Sequence, residues 1–94
     1  MDYSLVITPQ AKQEIQEAIY YYNSKQKGLG ERFFRDLNHQ LSTISENPFY
    51  HSLRYDNIRY AHLYKFPYAA HYAVNDKQII IYAVLSDYQN KQLF

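Results

Sequence analysis

Residues 58–85, IRYAHLYKFPYAAHYAVNDKQIIIYAVL, decide the fold. Ile58 to Phe66, Tyr68 to Val74 and Gln78 to Leu85 are three β-prone runs, separated by Pro67 and by the turn-forming Asn75-Asp76-Lys77. Connections this short join neighbouring strands in antiparallel fashion, so the stretch predicts a meander. One face of such a sheet needs a cover, and the residues upstream supply it.

Asn47-Pro48 closes a helix, because the residue before a proline is pushed out of the α region. Leu29, Phe33, Leu37, Leu41 and Ile44 recur every three or four residues and place that helix at about Leu29 to Glu46. Gly28 and Gly30 mark the turn before it. Further upstream, Ala11, Ile15, Ala18, Ile19 and Tyr22 fall on one stripe, with Lys12, Gln13, Glu14, Gln16 and Glu17 opposite. This first helix starts at Thr8-Pro9, a hydroxyl N-cap followed by a proline whose missing N–H costs nothing there, and ends between Asn23 and Lys27. Tyr3 to Ile7 alternates as a strand that can join one sheet edge. The predicted architecture is α+β, in the order β-α-α-β-β-β. A helical hairpin packs on one face of a small, mostly antiparallel four-stranded sheet, and Asn47 to Asn57 is the one long loop.

At 94 residues the chain suits one core, so residues 1–94 form a single expected domain. So small a domain buries a modest share of its surface, and a stabilising partner would matter. With no cysteine, disulfides are excluded and zinc would have to rely on His and carboxylate ligands. The start Met1-Asp2-Tyr3-Ser4 lacks the basic, apolar pattern of a signal peptide, and no apolar run reaches the roughly 18–20 residues of a membrane helix. The expected location is cytoplasmic, with no membrane partner. A net charge of +1 argues against nucleic-acid binding by bulk electrostatics. Twelve Tyr and five Phe have two readings, a core filled with rings or an aromatic binding face.

Several local features follow one another in order: the opening strand into Thr8-Pro9-Gln10-Ala11, the run Tyr20-Tyr21-Tyr22, Gly28-Leu29-Gly30 with Arg32-Phe33, Asn47-Pro48, Ile58-Arg59, Phe66-Pro67-Tyr68 followed by Tyr72, and Ala83-Val84-Leu85. Together they resemble the ParE-type branch of the RelE/ParE toxin superfamily, the plasmid-stabilisation family. The resemblance implies a growth-inhibiting toxin of a type II toxin–antitoxin system, wrapped by an extended segment of a cognate antitoxin. ParE-like members poison DNA gyrase. RelE-like members cut mRNA on the ribosome. A degenerate member would only bind an antitoxin, and a homodimer stays open.

RNA cleavage needs a base for the 2′-hydroxyl, cations for the developing phosphorane charge and an acid for the leaving oxygen. Where many relatives place a histidine this chain has Ser86, where they place an arginine it has Gln89, and where they place Asp-Pro it has Asn90-Lys91. Ala69 stands where the nucleases carry an arginine, three residues before Tyr72. A serine hydroxyl donates a hydrogen bond but is no acid near neutral pH. The expectation therefore leans away from an enzyme and towards action by protein binding.

Arg59 and Lys65 remain as catalytic candidates, expected on one sheet face by the period of two. Arg59 reads equally as a structural arginine paired with Glu31 or Asp36, and Lys65 as a solvated charge. Tyr60, His62 and Tyr64 alternate onto the opposite face. With His71 they are the expected partner-binding face, directed away from the helices, since the resemblance puts Ala61 and Leu63 inside. His39, His51, His62 and His71 show no i, i+4 or HExxH spacing, so no metal site is expected. No Gly-rich phosphate loop is present, and no cofactor is expected.

Overall fold

The computed structural model describes residues 3–87. Its elements are β1 (Ser4–Ile7), α1 (Pro9–Lys25), α2 (Leu29–Glu46), β2 (Leu53–Tyr55), β3 (Ile58–His62), β4 (Tyr68–Asn75) and β5 (Gln78–Ser86). They form one sheet of five strands in the order β1-β5-β4-β3-β2. The three pairs among β2, β3, β4 and β5 are antiparallel, and β1 joins β5 in parallel.

Both helix boundaries follow from local chemistry. Thr8 Oγ1 accepts from the Ala11 N–H at 3.1 Å, and Pro9 opens the helix. Gly28 adopts φ 85° at the N-cap of α2, a left-handed conformation that favours glycine. Gly30 lets the helices touch: a Cβ there would lie 2.4 Å from the Ile19 carbonyl oxygen. Its N–H donates to Asn23 Oδ1 at 2.7 Å, tying the hairpin closed.

One core lies between the hairpin and the sheet. Ala11, Ile15 and Ala18 from α1 and Phe33, Leu37, Leu41 and Ile44 from α2 meet Ala61, Ala70, Tyr72, Ile79, Ile81 and Val84. Alanines on the central strands let the helices lie close. At one end the rings form a knot, with Tyr22 4.8 Å from Phe66 and Phe33 4.9 Å from Tyr68, both edge-on. Part of the aromatic content is thus core filling.

The expected four-strand count is corrected to five. Leu53–Tyr55 lies inside the predicted loop, where three residues without alternation give no period to read. Asp56, at φ 45°, turns it back into β3. The predicted strand from Ile58 to Phe66 also stops early, at His62. The cause is Asp36 on α2, whose carboxylate accepts the N–H groups of Tyr64, Lys65 and Phe66 at 3.2, 2.8 and 3.0 Å. Those donors are lost to the strand ladder, and residues 63–67 become a turn. Gln40, also on α2 and buried, donates to the His62 carbonyl at the point of exit.

A bulge at Tyr82 shifts the pairing, so that His71 faces Ala83 while Tyr72 faces Ile81. The β5 edge beyond the end of β1 is taken up by side chains. Thr8 Oγ1 donates to the Tyr82 carbonyl at 3.3 Å, and Glu14 Oε1 accepts from the Val84 N–H at 2.9 Å. Such cover removes backbone groups that would otherwise template strand addition.

Candidate functional site

The sheet face turned away from the helices carries Tyr60 and His62 from β3 and His71 from β4. Tyr60 pairs directly with His71 and His62 with Ala69. The rings of Tyr60 and His71 lie flat on each other, with centroids 3.8 Å apart and planes at 19°. Arg54 places its guanidinium 4.8 Å from the Tyr60 centroid, and Tyr55 approaches edge-on at 6.2 Å. His62 is exposed, and its Nδ1 lies 3.7 Å from Asp87 Oδ1.

His71 differs from the exposed residue that alternation suggests. It is 1% exposed, and neither ring nitrogen has a hydrogen-bond partner. Burial first, and the nearby His62 and Arg54 second, push its pKa down to about 4. It is therefore neutral near pH 7, and serves as a flat packing surface for Tyr60.

Tyr64 does not share this face. The exit of the chain at His62 carries it into the turn, where its ring lies 4.8 Å from His39 and its hydroxyl 3.4 Å from Gln40 Oε1. The same exit separates Lys65 from Arg59, so the expectation of a shared face is corrected for both pairs. The period of two holds only while the strand lasts.

Arg59 pairs with neither Glu31 nor Asp36. It points to the helix side, where Nη1 donates to the His51 carbonyl at 2.5 Å, and its guanidinium sits 5.2 Å from the Phe49 ring. Tyr72, fully buried, donates from Oη to the Pro48 carbonyl at 2.7 Å. Burial raises the Tyr72 hydroxyl to about 12 against the opposing pull of Arg59, so it stays protonated as a donor. His51, in the same loop, is pushed down by burial, His62 and Arg59. The two side chains thus fix the segment between α2 and β2.

Of the positions where the resemblance leads one to expect nuclease residues, Ala69 is fully buried and Ser86 ends β5. Gln89 and Asn90-Lys91 lie outside the described residues. Arg54 and Tyr55 beside the Tyr60 ring, and Asp87 beside His62, add to the site expected from the sequence. Asp56-Asn57 before Ile58 was the available hairpin signal for the first two.

The same fold occurs in toxin–antitoxin proteins. The chromosomal ParDE system of P. aeruginosa superposes with a TM-score of 0.80 at 17% identity, covering 89% of this chain and 95% of that one. The E. coli DinJ-YafQ toxin–antitoxin complex matches with a TM-score of 0.66 at 14% identity over 100% of this chain and 99% of the other. YafQ from E. coli strain BL21(DE3) matches at 0.65 and 14% identity, covering 98% and 99%. No curated protein sequence is significantly similar. The sequence pattern of the ParE toxin of type II toxin–antitoxin system, parDE, matches residues 5–90. The chain belongs to the ParE toxin family of type II toxin–antitoxin systems, within the RelE/ParE superfamily.

Proposed function

We propose that the chain acts by binding a protein target, DNA gyrase, and that a cognate antitoxin neutralises it by covering the outer sheet face around Tyr60 and His62. Family membership supports the toxin class, and the two-protein systems among the matched structures support an antitoxin partner. The observation that carries binding over catalysis is the Tyr60–His71 stack. The histidine at the centre of that face is buried, neutral and covered by a ring, which suits a contact surface and not an acid. Tyr60, held between Arg54 and His71, is a preordered aromatic anchor of the kind that dominates protein interfaces.

The test is a supercoiling assay with purified gyrase. Inhibition by the chain, relieved by its antitoxin and weakened in Tyr60→Ala after intact folding is checked, is the expected result. Normal supercoiling in the presence of folded chain overturns the gyrase assignment. If that chain still binds its antitoxin tightly, it is a degenerate member that has kept only the neutralising contact.

A further inference from the structure

We infer that the groove between α2 and the β3–β4 turn is a docking surface for an acidic protein segment, one that presents carboxylates along one side of a helix. The inference goes beyond the gyrase and antitoxin reading, since none of the groove's residues lies on the outer sheet face.

The groove has a volume of about 460 Å³ and is lined by Arg32, Arg35, Asp36, His39, Tyr64, Lys65 and Phe66. Arg32, Arg35 and His39 are exposed and follow one another at i, i+3 and i+7, which places them in one stripe along α2. Lys65 comes from the facing turn, also exposed. Among the described residues, no carboxylate lies within ion-pair distance of Arg32, Arg35 or Lys65. In a chain of net charge +1, three unpartnered cations in one groove are a concentrated local excess.

Asp36 offsets one of these three charges and leaves the groove with a net excess of cations. It is 7% exposed, and its two oxygens are taken by three backbone N–H groups. Its effect is to hold the turn so that Lys65 and Tyr64 face the arginines. Tyr64, 56% exposed, leans on His39 with ring planes at 33° and gives the groove an apolar shelf. Cations around an aromatic shelf match the make-up of an interface centre, with arginine suited to two-pronged carboxylate contact.

Span decides between protein and nucleic acid. The stripe from Arg32 to His39 rises through seven residue steps of helix, roughly 10 Å, which suits carboxylates at i, i+3 and i+7 on a helix lying alongside. A phosphate backbone is held by a longer positive track and a basic domain. Net charge +1 supplies neither.

The experiment uses the folded chain and a fluorescent helical peptide repeating glutamate at i, i+3 and i+7, followed by anisotropy at low salt and at roughly 0.3 M salt. Binding is expected to weaken about tenfold in Arg32→Ala/Arg35→Ala and to recover in part in Arg32→Lys/Arg35→Lys. It should change little in Lys12→Ala/Lys27→Ala, which removes the same charge elsewhere. Equal loss in both alanine pairs, or none in the groove pair, overturns the inference. So does tight binding of single-stranded RNA without peptide binding, or binding of neither.

Discussion

Tyr72 and Arg59, opposite each other on β4 and β3, hold one loop by its carbonyls, Tyr72 at Pro48 and Arg59 at His51. A strand pair thereby sets the path of a segment that has little regular structure of its own. Tyr72→Phe leaves the Pro48 carbonyl without its buried donor and is expected to cost about 1–3 kcal/mol. Because both side chains anchor the same segment, the double variant with Arg59→Ala should lose less than the sum of the single losses. Urea unfolding of the four proteins measures this. Strict additivity would mean that the two anchors act independently.

Asp36→Asn replaces a two-oxygen acceptor of three N–H bonds with one oxygen and an opposing NH₂ group. A loss of about 1–3 kcal/mol is expected, together with faster hydrogen exchange at Tyr64, Lys65 and Phe66. Unchanged exchange at those three amides would show that the turn is held by something else.

His71 makes stability depend on pH. Its folded pKa, about 4, lies below the unfolded value, so the unfolded chain binds more protons between those values and stability rises with pH. The contribution is fully present above about pH 6.5 and is lost on acidification towards pH 4, where up to about 3 kcal/mol is gone. His71→Phe keeps a ring beneath Tyr60 and should flatten that part of the profile. An identical profile in the variant would place the acid sensitivity elsewhere, for instance at His51, which is lowered in the same direction.

Added to translating ribosomes, the purified chain is expected to leave mRNA uncut. Cleavage that disappears in Arg59→Ala or His62→Ala would reverse this and give those residues catalytic roles. His62 beside Asp87 is the pair to watch in that experiment.

The helices were legible because their signals are local. Thr8-Pro9 starts one and Asn47-Pro48 stops the other, and each signal acts within a turn of itself. The early end of β3 was not legible, because the carboxylate that ends it comes from Asp36, 28 residues before Tyr64. Misplacing that end also misplaced Tyr64 and Lys65. For Tyr60 and His62 the period of two gave a common face, and the resemblance, which puts Ala61 and Leu63 inside, turned that face away from the helices. The period says nothing of depth, so the burial of His71 had no sequence signal. Arg59 reads in the sequence as a catalytic cation or as a partner of Glu31 or Asp36, but its partners are backbone carbonyls, and a carbonyl looks alike at every position in a sequence.

The parallel pair at the sheet edge sets an order of assembly. Ser4 to Ile7 find their partners at Gln78 to Ile81, so β1 waits for β5. Contacts this distant in sequence slow folding, and on the ribosome they cannot form while residues 78–81 are still unmade. In a nascent chain Ser4 to Ile7 therefore stay without these partners until residues 78–81 have been made. The sheet closes only when β5 has emerged, whereas α2 and the β3–β4 turn, which line the basic groove, are already made by then.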